Sequence, residues 1–298
     1  MPRYEMTWQQ AAVVAACLLG VAGLAWLPRR RPVNLAAPVL REAGLVVALF
    51  ALWQYAGSFS VMGPAGATAR ARWIWHTERA WHLPDEAAVQ HLVLGHPLAV
   101  EAFNVYYATM HFTVLIIFLV WLYTRHRDQY KRIRTILVLL TAACLLVQLV
   151  PVAPPRLLPG TGLVDTAQVY GQSVYAFGGA VADQLSAMPS VHVGWAMLVA
   201  AGAWRATLSR GRWLAVAHAV MTWIVVVATA NHFWLDGIVA AALLVLACLA
   251  VAAARALRPP LRAPLRALVT ARAGDLAPPE TSPDKLSVSA DVRSTGVR

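Results

Sequence analysis

Long apolar runs separated by short polar connections dominate the chain. Seven of them approach the roughly 20 residues that a helix needs to cross a bilayer: 9–27, 42–61, 103–123, 135–152, 188–208, 213–230 and 233–255. The pattern predicts an all-α fold, a polytopic transmembrane helical bundle of a six-helix core plus one extra N-terminal span. The connections alternate in charge. Arg29, Arg30, Arg31 and Arg41 follow the first run, and Arg125, Arg127, Lys131, Arg132 and Arg134 join the third to the fourth. Arg205, Arg210 and Arg212 join the fifth to the sixth, while 62–102 and 153–187 are nearly balanced or weakly acidic. The positive-inside rule then predicts an outer N-terminus, with the basic connections and the C-terminal tail in the cytoplasm. Pro28-Arg29-Arg30-Arg31 stands where a small-residue cleavage site would follow a signal peptide, so the first run reads as a retained span.

Three regions follow from this organisation. Residues 1–99 hold the N-terminal spans and an interfacial amphipathic segment, 100–256 a membrane-embedded core, and 257–298 a disordered basic cytoplasmic tail. Within 70–97, Trp73, Trp75 and Trp81 alternate with Arg70, Arg72, Arg79 and His82. That composition reads first as a helix lying at headgroup depth, with a lid that guides a lipid headgroup as the alternative. The tail is rich in Pro, Arg, Ser and Asp and has no apolar period.

Composition narrows the class. Of 298 residues, 59% are hydrophobic and 13% charged, with mean hydropathy +0.57. A soluble domain carries about 25% charged residues, so a large soluble core is excluded. The net charge of +11 would suit nucleic acid, but the arginines lie between and after apolar runs, where they set topology instead. Cys17, Cys144 and Cys248 all fall inside apolar runs without metal or redox spacing. His76, His91, His96 and His126 also lack metal-site spacing. No metal and no cofactor is expected.

Against this background the polar residues at span ends stand out, because an ionisable group at membrane depth is costly and calls for a function. In His232-Phe233-Trp234-Leu235-Asp236, positions i and i+4 share a helix face, so Asp236 can fix one imidazole nitrogen and leave the other as a nucleophile or base. The same pair also reads as a structural histidine capping a helix. In Met188-Pro189-Ser190-Val191-His192, Pro189 suits a first helical turn. Free amides around Ser190 to His192 could then bind an anion, with Ser190 as a hydroxyl donor and His192 as a proton donor to a leaving oxygen. A plain helix cap with an interfacial histidine fits that segment equally. Arg156 ends Pro154-Pro155-Arg156, where its planar fork matches phosphate oxygens, or where it snorkels to headgroups. Asn104, Tyr107 and His111 fall on one face of the third run, suited to headgroup recognition or to interhelical hydrogen bonding. Gln148 and His218 read as packing contacts.

Taken in order, arginine, Pro-Ser-x-His and His-x3-Asp, the chain resembles the type 2 phosphatidic acid phosphatase superfamily of membrane enzymes, related to vanadium haloperoxidases. The resemblance covers roughly residues 100–255. It implies that His232 is the nucleophile that becomes phosphorylated, that Asp236 orients it, and that His192 protonates the leaving group. It also implies that Arg156 and Ser190 hold the phosphate. The commonest family pattern has glycine at Val191, lysine at Leu149 and arginine at Val226, so two phosphate-binding cations are missing here. The Pro-Pro-Arg and Pro-Ser-Val-His forms look more like the branch containing inositol phosphorylceramide synthases, and the Asn104, Tyr107, His111 stripe resembles a feature of that branch.

The expectation is therefore an integral-membrane phosphoryl-transfer enzyme with its site at the extracytoplasmic face. Its substrate would be a lipid phosphate or phosphodiester, and the transfer would run to water or to an alcohol acceptor such as inositol. A non-catalytic transporter or scaffold is the alternative, although polar residues are sparse in the middles of the runs. A haloperoxidase would need bound vanadate and more pocket cations.

Overall fold

The computed structural model describes residues 7–24, 31–57, 66–172 and 184–257. Among them the ordered elements are helices: α1 (Trp8–Leu24), α2 (Arg31–Gly57), α3 (Ala67–Ala80), α4 (Glu86–Leu94), α5 (Pro97–Arg125), α6 (Arg127–Gln148), α7 (Thr166–Val169), α8 (Val191–Ala206), α9 (Arg212–Ala228) and α10 (Trp234–Ala256). A 3-10 turn spans Pro155–Leu157, and the described residues contain no strand, only an isolated bridge between Val152 and Ser186. The chain divides into two compact units, Met1–Ala252 and Ala253–Arg298. Of the second, only 253–257 is described, and it carries the end of α10.

Every predicted apolar run overlaps a helix. Two of those helices, α5 and α10, are long and apolar enough to cross a membrane, while α1 and α9 are shorter apolar helices. The others fall short for physical reasons: α6 opens on the charged turn Arg127-Asp128, and α8 has only 16 residues. The described chain is consistent with a membrane protein on this footing. The start of the basic connection after the first run (Arg29, Arg30), the end of the second run (58–61) and the tail from 258 lie outside the described residues. The rest of that connection is not a loop. Helix α2 begins at Arg31 and continues through Pro38 and Arg41, carried by the good helix formers Leu35-Ala36-Ala37 and Leu40-Arg41-Glu42 on either side of the proline.

The segment 70–97 is two helices rather than one. Helix α3 buries Ala67, Ala71, Ile74 and Glu78, spaced along one face, while Trp73 and Trp81 are 67% and 62% exposed. Its buried face packs on Val152, Ala153, Leu158, Ala187, Phe233 and Leu235. Arg70 Nε donates to the Pro151 carbonyl at 2.6 Å, so α3 grips the connection that carries Arg156.

The main core lies between α5, α6, α8 and α10, where Leu122, Leu140, Cys144, Leu198 and Leu244 are buried together. Close approach depends on small residues. A Cβ on Gly202 of α8 would lie 2.6 Å from the Phe118 ring of α5, and one on Gly237 of α10 would lie 2.7 Å from the Trp223 indole of α9.

Candidate active site

The site is assembled at the junction between α9 and α10. Helix α9 ends in a Schellman turn: Ala230 N donates to Val227 O at 2.8 Å and Asn231 N to Val226 O at 3.0 Å. Ala230 occupies the left-handed position at φ 51, which usually falls to glycine. The turn reverses the chain, and His232 follows at once, 5% exposed. Its own amide also donates to Val226 O, at 3.1 Å. Val226 is buried beside Val193 and Val227 and forms part of the core.

His232 Nδ1 has two acceptors, the Ala187 carbonyl at 2.7 Å and Asp236 Oδ2 at 3.3 Å. Acceptors on that side require the proton on Nδ1, which leaves a lone pair on Nε2. Nε2 is buried and has no hydrogen-bond partner among the described residues. Asp236, fully buried, also accepts from Phe233 N at 2.8 Å, so it caps its own helix and holds the histidine together. The Ala187 carbonyl is the nearer of the two restraints. Its contribution has no sequence signature, because any residue presents a carbonyl.

Ser190 is the N-cap of α8, and its hydroxyl accepts from Val193 N at 3.4 Å. Its amide donates to the Asp236 carbonyl at 3.1 Å, so that donor is spent on joining α8 to α10 and is not open to an anion. Only the first-turn amides of Val191 and His192 remain as helix-start donors without an acceptor inside the helix. Pro189 lies outside the helix, not in its first turn, and follows a cis peptide bond. Gln148, expected as a packing contact, donates to the Pro189 carbonyl at 3.2 Å and so braces this turn.

The His192 ring stacks on Tyr107 with centroids 4.3 Å apart and meets His111 at 4.1 Å. It stands 5.7 Å from the His232 ring. Tyr107 and His111 thus face the histidines, and His111 Nδ1 donates to the Tyr107 carbonyl at 3.1 Å. Asn104 makes hydrogen bonds of the kind named as the alternative to headgroup recognition. Its amide donates to Gln172 at 3.0 Å and its carbonyl accepts from Thr166 at 2.9 Å, which ties α5 to α7. His218 is likewise hydrogen-bonded, to the Tyr106 hydroxyl at 2.6 Å.

Arg156 is seated against the His232 turn. Its amide donates to Ala230 O at 2.9 Å, its Nη1 to Asn231 Oδ1 at 2.5 Å, and its Nε to Asp165 at 3.1 Å. The side chain is 4% exposed. Asp165 and Asn231 were not evident from the sequence, although Asn231 directly precedes His232. No group of side chains suited to a metal ion occurs among the described residues.

A buried His232 and a partly buried His192, a carboxylate behind the first, and an anchored guanidinium in the adjoining turn thus lie together. A family model described as the PAP2 superfamily matches residues 72–250, and the chain belongs to that superfamily, whose members are generally phosphatases. The match begins within α3. No curated protein and no solved structure matches the chain.

Proposed function

We propose that this protein is an integral-membrane phosphoryl-transfer enzyme that acts on a lipid phosphate or phosphodiester at the extracytoplasmic face through a phosphohistidine intermediate. The observation that carries this reading is the state of His232. Its Nδ1 is held by Ala187 and Asp236 while its buried Nε2 has no partner, the arrangement a nitrogen nucleophile needs. In the first step the Nε2 lone pair attacks phosphorus in line, and the bond to the leaving oxygen breaks. His192, 5.7 Å away ring to ring, gives its proton to that oxygen. Arg156 and the first-turn amides of α8 stabilise the charge on the equatorial oxygens. Ser190 acts by fixing that helix start. Water, or an alcohol such as inositol, then attacks phosphorus, gives a proton to His192, and frees His232.

A membrane setting is supported by the apolar α5 and α10, and the seven-span arrangement with a cytoplasmic tail belongs to the same proposal. So does the division into 1–99, 100–256 and 257–298. Tyr107 and His111, whose rings lie against His192, support a role for this face in meeting a headgroup.

The test is phosphate release and headgroup exchange by purified wild-type and His232→Ala protein. Phosphatidic acid, polyprenyl diphosphate and phosphatidylinositol serve as substrates, with and without inositol. Turnover that vanishes in the variant and is blocked by vanadate supports the reading, and the preferred acceptor separates phosphatase from phosphotransferase. Equal rates in both proteins overturn it.

A further inference from the structure

Helix α10 lacks the polar residue that ordinarily closes a helix start, because Phe233 precedes its first residue. Carboxyl groups fill the gap. Phe233 N donates to Asp236, half of a capping box. Two residues on, Leu235 N donates at 2.7 Å to Oε1 of Glu78, a residue of α3. The same seam is closed by Trp234 Nε1, which donates to the Pro84 carbonyl at 2.8 Å. The α3–α4 hairpin therefore holds the turn that presents His232 and Asp236.

Glu78 and Glu86 are both fully buried, and their carboxyls interact. Glu86 also pairs with Arg79, which reaches Asp85 at 3.2 Å. Glu78 Oε2 and Glu86 Oε1 have no hydrogen-bond partner among the described residues. Burial first, and Glu86 second, push the Glu78 carboxyl up from its ordinary 4.5 to about 9. The charged groups around it are Glu86 with its partner Arg79 and, from α10, Asp236.

We propose that Glu78 is a positioning residue: as the acceptor for Leu235 N it fixes the first turn of α10 and thereby the approach of Asp236 to His232. The inference rests on His232 being the nucleophile. It also gives the 70–97 segment a role, as a brace for the catalytic turn.

The test compares Glu78→Gln, which keeps the acceptor without the charge, with Glu78→Ala, which loses it. Both are assayed with His232→Ala alongside, as full-length protein in detergent. Glu78→Ala is expected to lower kcat about 100-fold, the cost of a small misplacement, with KM within about 3-fold. Glu78→Gln is expected to stay within about 3-fold of wild type in both. Hydrogen exchange over 233–237 supplies a readout independent of turnover: at least about tenfold faster in Glu78→Ala and unchanged in Glu78→Gln. Wild-type kcat in Glu78→Ala, or a Glu78→Gln that behaves like Glu78→Ala, overturns the proposal while leaving the histidine mechanism intact. Turnover that survives His232→Ala overturns the mechanism, and exchange then decides the structural part alone. If Glu78→Ala does not fold, Glu78→Met, which keeps the bulk without the acceptor, takes its place with the same two readouts and the same expected and overturning results.

Discussion

Asparagine at position 236 removes one negative charge 3.3 Å from His232 Nδ1 and changes the shape of the side chain hardly at all. Full unit charges at that distance interact by about 5 kcal/mol at an effective dielectric of about 20. Attack on phosphorus develops about half a positive charge on the ring, so the transition state loses about 2.5 kcal/mol, or about 70-fold in kcat. The loss stays well below the roughly 10⁴-fold that accompanies a wrong tautomer. The reason is local: the Ala187 carbonyl holds the Nδ1 proton at 2.7 Å whatever occupies 236, and the asparagine carbonyl can still accept from Phe233 N. The assay is steady-state turnover of a lipid phosphate in detergent micelles by wild-type and Asp236→Asn protein, with thermal unfolding of both. A loss of about 10⁴-fold in a folded variant, or none beyond about 3-fold, would refute the reasoning.

Three further outcomes are expected. Gly237→Ala pushes a methyl into the Trp223 indole and should lower stability by about 1–3 kcal/mol, read as a fall in unfolding midpoint in detergent. Ala230→Gly relieves the left-handed alanine at φ 51 and should raise or preserve that midpoint, by up to about 1 kcal/mol. Because the folded state holds the Glu78 proton more tightly than the unfolded chain, stability from this group is present below about pH 4.5 and is lost as pH rises towards about 9. Glu78→Gln should flatten that decline when midpoints are compared across the window.

The helices were readable because long apolar runs have few ways to bury themselves, and each run overlaps one helix, although only 103–123 lies wholly within its helix. His232 and Asp236 were readable for a related reason, since four residues on a helix is a local spacing. The partners that give these residues their chemistry are non-local and leave no periodic trace. Ala187 acts through its backbone, Glu78 reaches Leu235 from α3, and Asp165 meets Arg156 only because the 155–166 segment folds back. The acidic residues of 70–97 were masked by the tryptophans and arginines around them, which read as an interfacial helix. The Ser190 turn misled for a different reason. A proline followed by serine suits a helix start, but serine took the capping position and its amide bonded to Asp236, leaving fewer donors for phosphate than the motif suggests.

The central claim is that His232 carries the phosphoryl group, and the most direct measurement is to trap it. Purified protein is mixed with a lipid phosphate labelled on phosphorus, quenched in alkali within one turnover, digested and mapped by mass spectrometry. Label on the peptide containing His232, stable to alkali, lost in mild acid and absent from His232→Ala, is the predicted result. Turnover by a folded wild-type protein with no such label, or label on another residue that persists in His232→Ala, would contradict it.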